Sequence, residues 1–275
     1  MCQVLEISEN GYYNWRKRGK SQRKRDDEQL TERIEDAYYQ NRGHYGSPRI
    51  HVELKDQGIY CGRKRVARLM QEHGLSARKK KRKLRTTDSN HDLPIAPNLL
   101  EQDFTADAPD KKWMSDFTYL ETREGWLFLA GVLDAYSRKI VGWSMSERHD
   151  TELVQTALRM ALLQRQPGAE LIHHSDRGSE YASRCYQSLL REHHIQISMS
   201  KKGDCYDNVV IESFWATLKK ECLGTDIFSS RDEAKTAVFE YIETYYNRKR
   251  KHSSLGYLSP ARYEKQMRET NDDFS

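Results

Sequence analysis

The stretch LIHHSDRGSEYASRCYQSLLREHHIQISMSKKGDCYDNVVIESFWATLKKE, residues 171–221, decides how the chain is read. It opens on a short apolar run ending at Asp176, in a Ser-Asp-Arg-Gly turn, and closes on a helical segment, 208–222, that carries Glu212. Between those two carboxylates lie 35 residues. A third acid, Asp116, stands 60 positions before Asp176 in KKWMSDFTYL, which alternates as a half-buried strand does. Trp113, Phe117 and Tyr119 fall on one face of it, Met114, Asp116 and Thr118 on the other. An acid in mid-strand is costly unless it is paired or holds a cation. Three acids on a strand, a strand end and a helix can converge, and hard oxygen ligands of that kind suit Mg²⁺ or Mn²⁺. Two such ions about 4 Å apart activate a nucleophile and stabilise the leaving oxygen of a phosphodiester.

The surrounding pattern supplies a sheet to hold them. Glu124-Gly125 marks a turn, and two apolar strands follow at 126–134 and 139–146, so that three strands form an antiparallel meander. An amphipathic helix at 151–164 is broken by Pro167-Gly168, and the crossover makes 171–176 a parallel strand. Asp176 is then at the carboxyl end of a strand, where α/β sheets bind ligands, and Gly178 lets the chain turn away. A helix at 183–193 and a strand at 195–200 complete the sheet. In the last helix Val209, Phe214 and Leu218 are expected to pack, with Glu212, Trp215 and Lys219 on another face. Asp134, the rival acid, ends a strand and reads as a turn former. His173 and His174 point to opposite faces and read as structural, and Glu180 as a surface or supporting acid.

Charge separates the chain into two parts. Residues 1–100 hold 22 Lys/Arg against 13 Asp/Glu, a net of +9, and residues 101–275 hold 24 against 28, a net of −4, which gives the total of +5. A basic part before an acid-bearing part suggests a DNA-gripping module joined to an enzyme. Helices are expected at 26–42, at 48–57 behind a Ser47 cap, and at 62–73, the last basic through Arg63, Lys64 and Arg65. The latter two read as a helix-turn-helix pair, while Tyr12, Tyr13 and Trp15 are expected to pack. Arg78, Lys79, Lys80 and Lys81 lie in a run of six basic residues, 78–83, suited to phosphate contact. This gives a basic helical domain at 1–85, a proline-containing linker at 86–110, a catalytic domain at 111–265 and a tail at 266–275. No apolar run approaches the ~18 residues of a membrane span, and the start lacks the apolar core of a secretory signal. Five cysteines without a Cys-x-x-Cys pair argue against a disulfide framework, and the cytoplasm, on nucleoid DNA, is the expected compartment.

The motifs WMSDFTYL, HHSDRGSEY and DNVVIESFWATLK resemble those of DDE transposases and integrases. The runs GWLFLAGVLDAYSRKIVGWSMS, SKKGDCYDN and YNRKRKHSSLGYLSPARY are similar to the second-frame (OrfB-like) product of the bacterial insertion sequence three family, over roughly residues 2–265. The resemblance implies an α/β fold, with a ribonuclease-H-like core of five mixed strands flanked by helices behind a small all-α domain. It implies Asp116, Asp176 and Glu212 as metal-binding catalytic residues, two Mg²⁺ or Mn²⁺ ions in the DNA-bound state, and Lys219 as a phosphate contact. It further implies DNA contacts from Asn247, Arg250 and His252, with a structural cap as the alternative for that turn. DNA ends and target, a homo-oligomer on DNA and a first-frame partner or fusion are the expected partners, because that frame's helix-turn-helix and zipper are not in this sequence. The expected activity is strand cleavage and transfer without a covalent enzyme intermediate. The competing readings are a non-catalytic DNA-binding regulator and a nuclease on the same fold.

Overall fold

Asp27, on the second helix of the chain, binds two arginines of the fourth, and that pairing closes the basic half of the protein. The computed structural model describes residues 8–77, 93–201, 207–223 and 227–272, and divides into two units, 1–79 and 80–275. In the first, α1 (Glu9–Lys17) buries no residue, and Tyr13 and Trp15 are 53% and 71% exposed. Among the described residues these aromatics contact one another, Tyr12 with Tyr13 and Trp15, and α1 buries none of them, so the expected core packing is not found there. α2 (Gln22–Gln40) starts earlier than expected, at Ser21, whose hydroxyl accepts the Lys24 N–H and caps the polar first turn. α3 (Ser47–Asp56) is capped by Gly46, so Ser47 is already helical and Pro48 follows it. α4 (Arg63–Glu72) starts after Gly62. Leu30 and Ile34 of α2, Ile50 and Leu54 of α3, and Val66 and Leu69 of α4 form the core. Asp27 takes Arg65 and Arg68 at 2.6 Å each. The α3-turn-α4 pair is the expected helix-turn-helix arrangement.

The second unit is built on a five-stranded sheet of order β3-β2-β1-β4-β5. β1 (Lys112–Thr122) pairs antiparallel with β2 (Gly125–Asp134), which pairs antiparallel with β3 (Ile140–Ser146). The connection between the first two turns on Gly125, at φ 107°, a conformation that costs any other residue dearly. α5 (Thr151–Arg165) crosses to β4 (Ile172–Ser175), parallel to β1, and α6 (Ser179–Ala182) with α7 (Arg184–Glu192) leads to β5 (Gln196–Met199), parallel to β4. This is the mixed sheet of a ribonuclease-H-like core.

Alternation along β1 sends Trp113 to one face and Met114 to the other, each into its own core. The Trp113 core includes Val132, Val141, Leu158 and Leu190, under α5 and α7. The Met114 core includes Leu129 and the inner faces of α8 (Val209–Leu218) and α9 (Arg231–Phe239). Both helices continue in π-helical turns, Lys219–Leu223 and Glu240–Tyr246, and the chain ends its described part in α10 (Pro260–Asp272). The close crossing of α5 over β3 depends on Gly142, where a Cβ would stand 2.2 Å from the Ala157 carbonyl oxygen.

Residue 265, read from sequence as the end of the catalytic domain, lies inside α10. The stretch read as a linker, 86–110, is described from 93 onward and lies on the core: Leu100 is buried, and the Met199 N–H donates to the Pro97 carbonyl beside β5. Arg165, at the end of α5, gathers Asp110, Asp134 and Glu264 at 2.8, 3.4 and 3.0 Å. Asp134 is fully buried, accepts the Tyr136 N–H at 3.0 Å and so forms the turn expected of it. Burial pushes its carboxyl up to about 7, and the nearby Asp110 adds to the shift, while the Tyr136 N–H and Arg165 oppose it.

Candidate active site

Strand register brings the two aspartates together. β1 and β4 run parallel, the register ends with Ser115 beside Ser175, and Asp116 and Asp176 are the residues that follow that pair. Neighbouring strands lie about 4.8 Å apart, which puts the two carboxylates near each other at the carboxyl end of β4, midway along β1. The turn after β4 is fixed by Asp176 itself, whose Oδ1 accepts the Gly178 N–H at 2.9 Å. Arg177 is drawn away to the Ser200 carbonyl, at 2.6 Å.

Glu212 comes from a different element, the helix α8. It sits in the first turn of α8, where the helix dipole favours an acid, and it is exposed. α8 is held down by Ile211, Phe214, Trp215 and Leu218, all buried, whereas Val209 points outward. This reverses two expected positions, because Trp215 belongs to the packed face and Val209 does not. The Trp215 indole Nε1 donates to Asp116 Oδ2 at 3.0 Å, and Asp116 Oδ1 accepts the N–H of Phe117 at 2.8 Å.

The three acids feel one another. Burial pushes the Asp116 carboxyl well above the usual range, repulsion from Asp176 adds to it, and repulsion from Glu212 adds a smaller amount. The Phe117 and Trp215 hydrogen bonds act in the opposite direction. Tyr181, fully buried, is also pushed up, by burial first and then by Asp116, Tyr186, Asp176 and Glu180. Among the described residues no three or more His, Cys, Asp or Glu side chains are gathered closely enough to hold a metal ion as they stand. The donor set is nevertheless that of a hard divalent cation: carboxylate oxygens only, mutually repelling and open to solvent on the Glu212 side. A bound cation would remove the repulsion that raises Asp116, so these residues fit Mg²⁺ or Mn²⁺.

The histidines are structural. His173 bonds Ser115 Oγ at 2.7 Å and the Tyr186 hydroxyl at 3.0 Å, and His174 bonds Ser198 Oγ at 2.8 Å. Burial drives the pair down to about 3 and about 4, so both are neutral. Glu180 is buried rather than on the surface, with one oxygen 3.8 Å from His149 Nε2.

The expected DNA contacts divide into several groups. The Lys219 ammonium lies 4.5 Å from the centre of the Tyr119 ring. Asn247 is buried and clamps β3, accepting the Ile140 N–H and donating to the Ile140 carbonyl, both at 3.0 Å. Arg250 is buried in a bidentate pair with Glu221, at 2.7 and 2.8 Å. Both are corrections, since these polar groups are fully engaged inside the protein and face no solvent. His252, half-buried, packs edge-on against Tyr246, and its carbonyl accepts the Tyr257 N–H. In the first unit Arg63 and Lys64 are exposed, whereas Arg65 is tied to Asp27. Arg78, Lys79, Lys80 and Lys81 lie outside the described residues, as does most of the SKKGDCYDN turn.

Models of the integrase core domain match residues 106–205 and 193–260, which hold Asp116, Asp176 and Glu212, and a model of an HTH-like domain matches residues 24–83. The 31 kDa protein of insertion element IS600 from Shigella sonnei is 49% identical over 96% of this chain and 97% of its own length. Transposase InsF of insertion sequence IS3A from Escherichia coli is 42% identical over 96% of this chain and 92% of its own length. Among solved structures, the intasome of simian T-cell lymphotropic virus aligns with TM-score 0.49 at 13% identity, over 78% of this chain and 70% of that one. On the strength of the curated relatives, matched almost end to end, the chain belongs to the insertion-sequence transposases of the IS3 family.

Proposed function

We propose that Asp116, Asp176 and Glu212 together hold two Mg²⁺ or Mn²⁺ ions on DNA and form the centre that cleaves an element end and joins it to a second strand. The observation that supports this reading is the parallel register of β1 and β4, whose last pair, Ser115 and Ser175, stands one residue before Asp116 and Asp176, with Glu212 in the first turn of the helix whose Trp215 bonds Asp116. Bound there, the ions would supply charge stabilisation for the phosphoryl oxygens and a more acidic nucleophile. The chain's own part is positioning, which can account for a large share of such a reaction. The two aspartates follow the paired Ser115 and Ser175, α8 carries Glu212 in its first turn, and Lys219 comes about two helical turns later. A terminal 3′-hydroxyl set against a target phosphodiester then needs only in-line geometry.

DNA is the natural partner of the first unit. Arg63 and Lys64, on the exposed first turn of α4, are proposed phosphate contacts, with the basic run 78–81 beside them in sequence. We assign residues 1–85 to DNA binding and the sheet unit to chemistry. A homo-oligomer on DNA and a first-frame partner complete the reading. No helix among the described residues is long and apolar enough to cross a membrane.

The test is a joining assay. The full chain, Mn²⁺ or Mg²⁺ and a labelled, precut DNA end are incubated beside the Asp176→Ala variant. Joined products that vanish in the variant support the triad, and joining that survives Asp176→Ala sinks it. Joining seen only after the first-frame region is fused on would make this chain the catalytic part of a larger enzyme.

A further inference from the structure

Asp116 is opposite Gly131 in the β1–β2 register, and the space over Gly131 is filled by Trp215. A Cβ at Gly131 would stand 2.8 Å from Trp215 Cη2 and 3.2 Å from Cζ2, closer than a side chain and a ring can approach. Glycine at that position therefore lets the indole settle onto the strand backbone. From that seat its N–H reaches Asp116 Oδ2 at 3.0 Å, although the two residues are 99 apart in sequence. Trp215 is 2% exposed, so the ring has little room to take another rotamer. Glu212 is three residues earlier on the same helix, and side chains three apart share a helical face.

We propose that Trp215 is a positioning residue for the divalent-metal site: seated on Gly131, its indole N–H fixes the orientation of the Asp116 carboxylate and ties that orientation to the placement of Glu212. This rests on the reading of Asp116 as a metal ligand. Each carboxylate oxygen has more than one lone pair, so the Trp215 bond leaves acceptor capacity on Asp116 for a cation. Groups that hold a metal ligand in place by hydrogen bonding typically change metal affinity 10- to 100-fold when removed. One helical turn thus delivers both a ligand and the donor that aims another ligand, and a shift of α8 disturbs both together. A tryptophan that merely needed an acceptor for its buried N–H would affect folding stability alone.

The experiment uses the full chain without DNA and reads Mn²⁺ binding by titration calorimetry and by the metal-dependent rise in melting temperature. Trp215→Phe keeps the packing and removes the donor. It is expected to weaken Mn²⁺ about tenfold or more while the metal-free fold, read by circular dichroism, is retained. Asp116→Asn is the control and is expected to abolish binding at this site. If Asp116→Asn binds Mn²⁺ as the wild type does, the ligand assignment itself fails. If Asp116→Asn loses binding and Trp215→Phe keeps wild-type affinity, the positioning role is overturned. Should Trp215→Phe be too unstable to titrate, Gly131→Ala decides: it displaces the ring without removing the N–H. Weakened Mn²⁺ binding in that variant upholds the role, and unchanged binding overturns it.

Discussion

Arg250 and Glu221 meet in a two-pronged ion pair, Nε to Oε2 at 2.7 Å and Nη2 to Oε1 at 2.8 Å, with 6% and 3% of their side chains exposed. The Tyr241 hydroxyl donates to the same carboxylate at 2.8 Å, and Arg250 lies against the Tyr246 ring. This pair joins the π-helical turn after α8 to the chain that follows α9. It holds in place the helix that carries Glu212.

Arg250→Ala removes the bidentate arginine from the buried Glu221, and breaking a buried ion pair typically costs about 3–5 kcal/mol. Urea unfolding should show a destabilisation of that order. DNA affinity measured well below the new melting point should be unchanged, because the guanidinium does not face solvent. A variant that lost DNA affinity while keeping its stability would contradict the structural role.

The buried acid at the end of β2 gives a pH signature. The Asp134 carboxyl is raised to about 7 from an ordinary value near 3.8, so the folded state holds its proton over a range where the unfolded chain has lost it. Its contribution to stability is therefore present below the unfolded value and declines as pH rises from about 4 to about 7. The physical cause is burial, in a setting where Asp110 and Glu264 make the closer contacts to the single Arg165 guanidinium. Asp134→Asn should gain stability relative to the wild type as pH rises through that window and then level off. Parallel urea titrations at pH 5 and pH 8.5 would show it, and a pH-independent difference would reject it.

Burial first, and then repulsion from Asp176 and Glu212, disfavour the charged Asp116 carboxylate in the metal-free protein. Asp116→Asn should therefore melt higher than the wild type in chelator at neutral pH, by a few degrees if about 1 kcal/mol is relieved. Added Mn²⁺ should raise the melting temperature of the wild type and not that of the variant. Equal melting temperatures in chelator would mean that the charged Asp116 carboxylate is not disfavoured in solution.

Lys64 is exposed at the start of α4. If it contacts phosphate, Lys64→Ala should weaken DNA binding about equally for any sequence and lower the slope of log affinity against log salt by about 1. Arg65→Ala, by contrast, should act on the fold of this unit through Asp27. Fluorescence anisotropy across a salt series distinguishes the two, and an unchanged slope for Lys64→Ala removes it from the interface.

What could be read in the sequence was local and chemically loud. The alternation around Asp116, the strand end at Asp176 and the first helical turn at Glu212 each declare themselves within a few residues, and the parallel crossover then fixes how the aspartates meet. What could not be read was pairing across distance. Trp215 looked like part of a polar face because Glu212 and Lys219 flank it, and only the gap over Gly131, 84 positions earlier, shows why it turns inward. Arg250 and Asn247 looked like surface groups in a basic turn, yet their partners Glu221 and Ile140 are 29 and 107 residues away. The packed role of 93–110 was hidden by its prolines, which signal irregular backbone but not whether it lies on a core. α1 went the other way: Tyr12, Tyr13 and Trp15 read as packing residues, and among the described residues α1 buries none of them.

The separation between Asp116 and Trp215 also sets a timetable for synthesis. A ribosome that has released residues only through β5 has delivered both aspartates but neither α8 nor the indole that aims one of them. Contacts that span so much chain form late, after the cost of closing a long loop has been met. Competence to act on DNA therefore arrives with the end of folding, and a prematurely terminated chain lacking α8 cannot complete the carboxylate centre.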